Sequence, residues 1–155
     1  MRPIRESDAL ALVALHGRLS DETVYLRYFS PHARLSAREV ARATHVDHRD
    51  REAFVVLDHD ALIGIGSYER GAGSEAAEIA FEVDDEQQGR GIGALLFEML
   101  AASARERGIR RFVANVLPQN RRMLQLFREA GLAERTRFEG GVVEVELELA
   151  PPAVA

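Results

Sequence analysis

The sequence contains no cysteine, which excludes disulfides, thiolate metal ligands and a cysteine nucleophile. It has no apolar run near the roughly 18 residues of a membrane span. Its start, MRPIRESD, lacks the apolar stretch of a secretory signal. A cytoplasmic setting is the expectation. No dense run of Lys or Arg stands out, and the formal net charge is -5. That argues against a nucleic-acid partner, whose binding rests on neutralised phosphates, and no membrane partner is expected. An acidic balance does suit a cationic substrate, because acidic clefts concentrate cations. The five histidines, His16, His32, His45, His48 and His59, show no ligand spacing beside a carboxylate, so no metal is expected.

What is present fits a globular α/β (α+β) domain. A chain of 155 residues, 46% hydrophobic and 29% charged, holds one core. We expect a single domain over 1–150, cut from a longer chain, and a frayed tail, PPAVA, over 151–155. The first third reads helical. Asp8, Ser20 and Ser36 are candidate caps, the last in capping-box spacing with Glu39. The middle changes period: AFVVL and LIGIGSY form a hairpin around Asp58-His59-Asp60, and Ala77 to Val83 alternates as a strand. A helix follows to about Arg107, with Ile92, Leu95, Leu96, Met99 and Ser103 on one face and Gly108 as its stop. RRFVANVL is a further strand ended by Pro118, Gln119 to Ala130 a short helix, and the last hairpin turns at Gly140-Gly141. This gives about seven strands and four or five helices on both sides of a largely antiparallel sheet.

The stretch EVDDEQQGRGIGALLFEML, 82–100, carries the chemistry. A glycine-rich turn from strand to helix exposes backbone N–H groups at a helix N-terminus, which suits a phosphate or pyrophosphate. The nucleotide P-loop needs Gly-Lys-Ser/Thr, but Gly93 is followed by Ala94 and Leu95, so that reading fails. The dinucleotide pattern is formally met by Gly89, Gly91 and Ala94, yet no carboxylate follows in RFVANVL. The third pattern, Gln/Arg-x-x-Gly-x-Gly/Ala, is met by Gln88, Gly91 and Gly93.

That pattern resembles the coenzyme A pyrophosphate loop of the GNAT acetyltransferase superfamily. The order of the elements around it, through IRRFVANV and NRRMLQLFREAGL, is similar to that superfamily from about Phe54 to Leu132. With SDETVYLRYFS added, the chain resembles the catalytic domain of Pat-type protein lysine acetyltransferases, which modify acyl-CoA synthetases. The resemblance implies a GNAT fold, a mixed, mostly antiparallel six- to seven-stranded sheet with splayed central strands. It implies acetyl-CoA as cosubstrate and a lysine-bearing protein, an acyl-CoA synthetase, as partner.

The resemblance also implies site residues. The pyrophosphate would be held by Gln88, Gly89, Arg90, Gly91, Ile92, Gly93 and Ala94. The Val83 N–H would stand near the thioester carbonyl, and Asn120, an N-cap by position, would also bond the pantetheine arm. Glu78 matches the glutamate used as general base, with Glu82 on the same strand face as its rival. The sequence departs from the superfamily at Phe127, where a tyrosine commonly protonates the leaving thiolate. Tyr25 and Tyr28 are weaker substitutes, and Arg128 is a further cation for phosphate. Two alternatives stay open: acetylation of a small amine, and a non-catalytic acyl-CoA sensor.

Overall fold

The computed structural model describes residues 1–149. The expected tail at 151–155, and the final residue of the expected domain, lie outside the described residues. The elements run β1 (Arg2–Pro3), α1 (Ala9–Arg18), α2 (Asp21–Tyr28), α3 (Ala37–Thr44), β2 (Arg51–Asp58), β3 (Ala61–Arg70), β4 (Ala76–Val83), α4 (Ile92–Glu106), β5 (Arg111–Val116), α5 (Arg121–Glu129), β6 (Glu134–Glu139) and β7 (Val142–Glu148). The seven strands form one sheet in the order β1-β2-β3-β4-β5-β7-β6. All neighbours are antiparallel except β4 and β5.

The parallel pair positions the site. β4 and β5 are joined only at Ala76–Glu78 against Arg111–Val113. Beyond Glu78 the two strands separate, while β4 stays paired with β3 as far as Val83 against Gly64. The expected splay of the central strands is therefore present. It leaves one edge of β4 without a strand partner from Ile79 to Val83.

Each face of the sheet buries its own cluster. On one, α4 and α5 pack Leu96, Phe97, Leu100 and Phe127 against Phe54, Ile79, Phe81 and Phe112. On the other, α1 and α2 place Leu12, Leu15, Leu19 and Val24 on Val55, Leu62 and Ile65. Alternation along β4 sorts its side chains: Ala77, Ile79 and Phe81 belong to the first cluster. Glu78, Ala80 and Glu82 point to the second face, opposite Glu69, Ser67 and Ile65.

Local signals explain most boundaries. The Ser20 hydroxyl accepts from the Thr23 N–H at 3.2 Å, and Ser36 with Glu39 closes the capping box. Gly108 takes a φ of 76° just past α4, and Gly131 one of 73° just past α5, as helix stops require. Two expectations are corrected. Asp8 does not cap α1 with its side chain. Its carboxylate accepts from both Arg2 guanidinium nitrogens and from the Arg5 N–H, each at 2.8 Å, and ties the N-terminal strand to the helix. The inward face of α4 is also rotated from the one expected. Leu95 and Met99 are exposed, whereas Leu96, Phe97, Leu100, Ala101 and Ala104 are buried. Small alanines let the helix lie close to the sheet, and Gly66 permits it: a Cβ there would come within 3.2 Å of Leu100.

Candidate active site

A cleft of about 1340 Å³ opens where β4 and β5 part, walled by β4 residues Glu78 to Val83, β5 residues Ala114 to Val116, the glycine loop, and α5. Its β4 wall offers backbone donors. The Asp84 N–H donates to the Ile63 carbonyl on β3 at 2.9 Å. Successive N–H groups on a strand point to opposite edges. The N–H groups of Val83 and Phe81 therefore face the unpaired edge and the cleft. The Val83 carbonyl, on that same edge, accepts from the Gln88 side-chain amide at 3.1 Å.

The loop that follows is built for close approach. Gly89 and Gly91 take φ of 79° and 83°, and a Cβ at Gly91 would meet nothing. Its glycine is required by the backbone angle, not by crowding. Gly91 is also the N-cap of α4, so the N–H groups of that first turn carry the helix's partial positive charge. Gly93 lies against α5: a Cβ there would stand 2.8 Å from the Leu126 δ-methyl, which would have to turn aside. The loop thus docks tightly on α5 with its amides presented to the cleft.

The expected cofactor residues divide. Val83, Gln88, Gly89, Gly91, Ile92, Gly93, Ala94 and Asn120 all line the cleft. Arg90 does not; its guanidinium donates to Gln87 at 2.6 Å. Arg128 is absent from the lining too, whereas Arg121 and Arg122 are present. Arg122 lies close to Gly89, 3.6 Å from where a Cβ would stand. No local pattern marks this cation; it reaches the loop through the packing of α5 on α4. Gln88 turns its side chain back onto β4 and α2, bonding Val83 and the Thr23 hydroxyl. Asn120 accepts from the Met123 N–H at 3.3 Å as the cap of α5, which leaves its amide nitrogen for a ligand.

The acidic turn before the glycines is a clamp. The Arg18 guanidinium donates to Asp84 at 3.0 Å and to the Leu62 carbonyl at 2.7 Å. Asp85 accepts from the Ser20 N–H at 2.9 Å, the Ser20 hydroxyl at 2.7 Å and the Thr23 hydroxyl at 2.8 Å. Burial works to raise the Asp85 carboxyl, but these three donors hold it below the ordinary carboxylate range. The turn thereby fixes the start of α2 to the glycine loop.

The two candidate bases differ in setting. Glu78 is exposed on the cleft wall, at the last residue before the strands part. Glu82 is buried and faces His16, with 3.8 Å between Glu82 Oε1 and His16 Nδ1. Four residues of strand place their Cα atoms about 13 Å apart, so the two do not serve as one carboxylate pair. Tyr28 lines the cleft beside Glu82; burial, reinforced by that carboxylate, pushes its phenol far above its usual range. Phe127 is buried against Phe81 and Phe97, part of the core and not a proton donor. Among the described residues no cluster of three or more His, Asp or Glu gathers as a metal site. No described helix is long and apolar enough to cross a membrane.

Comparison with known proteins agrees with this geometry. Residues 19–132 match the model of the acetyltransferase (GNAT) family. The acetyltransferase Pat of Mycolicibacterium smegmatis is 32% identical over 97% of this chain, which spans 46% of that protein. The crystal structure of the GNAT domain of S. lividans PAT is 44% identical and superposes with a TM-score of 0.89, covering 95% of this chain and 88% of that one. At 18% identity, yncA from Salmonella typhimurium, solved with acetyl-CoA, shares the fold with a TM-score of 0.76 over 99% of this chain and 95% of that one. An unpaired strand edge running into a glycine-started helix, together with these matches, places the chain in the GNAT acetyltransferase family.

Proposed function

We propose that this chain transfers the acetyl group of acetyl-CoA to the ε-amino group of a lysine on a protein, an acyl-CoA synthetase being the favoured acceptor. One observation carries the reading: a cleft whose β4 wall presents the outward N–H groups of Phe81 and Val83 and ends in a glycine loop at a helix N-terminus. That wall suits the amide-bearing arm of coenzyme A, and the loop suits its pyrophosphate. Likeness to Pat and to the S. lividans PAT domain supports the lysine acceptor. Residues 1–150 act as one catalytic domain in this reading, in the cytoplasm.

Acetyl-CoA supplies an activated acyl carbon on a thiolate that leaves readily. The protein's tasks are to hold the donor, polarise the carbonyl and free the amine. The N–H groups from Gly89 to Ala94 hold the pyrophosphate, and Arg122 adds a charge that Arg90, turned toward Gln87, does not. The Val83 N–H donates to the carbonyl as negative charge develops on it. An acceptor lysine with a pKa of about 10.4 must lose a proton first, which costs about 4.6 kcal/mol at pH 7. Glu78 takes that proton through water, as its open position at the crotch of the two strands allows. The neutral amine then attacks directly, the N–C bond forms as the C–S bond breaks, and the second amine proton balances the departing thiolate. No acyl-enzyme is involved.

A small primary amine is the second reading. It is favoured by the modest acceptor-side cavity, about 230 Å³ between α3 and the sheet. One experiment separates the two. The protein is incubated with acetyl-CoA and an acyl-CoA synthetase, and modified lysines are mapped by mass spectrometry. The chain has no lysine of its own, so every acetyl-lysine belongs to the acceptor. Acetylation of a defined lysine is the expected result; none, with turnover of small amines, overturns the lysine reading.

A further inference from the structure

Among the described residues, His16 Nδ1 and Glu82 Oε1 are the buried side-chain atoms without a hydrogen-bond partner. Buried polar atoms are almost always paired, and an uncompensated buried carboxylate is costly. The two atoms are 3.8 Å apart, too far for a direct hydrogen bond. His16 and Glu82 are only 3% and 6% exposed.

The tautomer follows from the neighbours. His16 Nε2 is 2.6 Å from the His32 carbonyl oxygen. A carbonyl only accepts, so Nε2 carries the hydrogen and neutral His16 presents a lone pair at Nδ1. With His16 neutral, Nδ1 and Oε1 converge without a hydrogen bond between them; the Tyr28 phenol beside Glu82 is the neighbouring donor. One nitrogen about 2.8 Å from each would satisfy both, at a separation typical of charge-assisted bonds. Other groups around the pair are Tyr28, whose ring meets that of His16 at 5.6 Å, and His32, stacked on Tyr28 at 4.5 Å and bonded to Glu39. No arginine pairs with Glu82 among the described residues.

The location matches. Glu82 lines both the cofactor cleft and the acceptor-side cavity, whose walls combine Leu12, Leu35, Val46 and Ile65 with Arg27, Arg42 and Arg51, the last two paired with Glu69. Its floor between Glu82 and Glu78 is the small pair Ser67 and Ala80. The apolar stretch of wall beside the unpaired Glu82 oxygen suits an alkyl chain with a terminal ammonium.

We propose that Glu82 and His16 form the seat for the acceptor's primary ammonium, orienting it beside Val83 while Glu78 handles its proton. The proposal deepens the acetyl-transfer reading and rests on it. It assigns binding to Glu82 and proton removal to Glu78, two roles on one strand face.

The test titrates coenzyme A-loaded protein with Nα-acetyl-lysine amide and with Nα-acetyl-norleucine amide, its counterpart without the amine, by calorimetry or NMR. The lysine compound should bind at least 10-fold tighter. Glu82→Gln should cost the lysine compound at least 10-fold in affinity while coenzyme A affinity holds. It should not lower the melting temperature, because the new amide can donate to His16 Nδ1. Equal binding of the two compounds, or unchanged lysine binding in Glu82→Gln, overturns the seat and leaves the pair bridged by water only. If the variant fails to fold, the comparison of the two compounds on the wild type still decides. Seat and reading fail separately. Amine binding lost in Glu82→Gln without any lysine acetylation leaves the seat standing and removes the lysine reading. Lysine acetylation with an unchanged acceptor KM in Glu82→Gln does the reverse.

Discussion

The two faces of the sheet are built by different rules. The α4–α5 face is aromatic, with Phe81, Phe97, Phe112 and Phe127 packed ring to ring and Phe54 in the same cluster. The α1–α3 face has fewer and smaller apolar groups and buries Asp8, His16, Thr44 and Glu82. The first behaves as a foundation, where any lost volume costs stability. On the second, Asp8 and Thr44 are hydrogen-bonded, but His16 Nδ1 and Glu82 Oε1 are left without partners. β4 belongs to both: Phe81 anchors it on one side while Glu78 and Glu82 are displayed on the other. The strand is anchored by the core on one side and carries, on the other, the carboxylates that the proposed reaction uses, an arrangement that keeps a site well positioned.

Substitutions on each face should fail in different ways. Glu78→Gln should give the largest effect, a loss of about 10²–10⁴ in kcat with coenzyme A affinity and melting temperature unchanged; steady-state kinetics and calorimetry check it. Unchanged kcat would remove Glu78 as the base and would favour the sensor alternative only if wild type were also inactive. Phe127→Ala on the aromatic face should cost about 3–5 kcal/mol of stability, read by denaturant unfolding. Gly93→Ala should change stability by less than about 1 kcal/mol, since the Leu126 δ-methyl can move and alanine favours the helix, but should raise KM for acetyl-CoA by disturbing the loop.

The last effect concerns pH. Asp8 is held below its ordinary range first by its hydrogen bonds to Arg2. A depressed carboxyl contributes stability that is full above the unfolded pKa of about 3.9 and lost as pH falls through the lower folded value. Asp8→Asn should therefore lower stability at pH 7 by about 1–3 kcal/mol and flatten its acid limb, measured as melting temperature against pH.

The same contrast explains what the sequence made legible. The glycine loop, the capping boxes, the hairpins and the seven strands are written in local patterns, and they were found where the residues indicated. Their physics spans three to five residues. The inward face of α4 is not legible from hydrophobicity, because Ala101 and Ala104 carry little of it, whereas against a sheet relieved at Gly66 small size is what close packing needs. The approach of Arg122 to Gly89 and the facing of His16 by Glu82 join residues far apart in the chain. No spacing encodes them; only the stacking of α5 on α4 and of α1 on the sheet does. Glu78 and Glu82 share a strand and a side-chain parity, so pattern alone nominated both, and only burial separates an exposed carboxylate from an enclosed one.

The most direct test of this division of labour measures kcat and acceptor KM for Glu78→Gln and Glu82→Gln side by side, with a peptide bearing one lysine. The account predicts that Glu78→Gln lowers kcat and leaves KM, while Glu82→Gln raises KM at least 10-fold and alters kcat less. The reverse pattern, or equal loss of kcat in both, would contradict it.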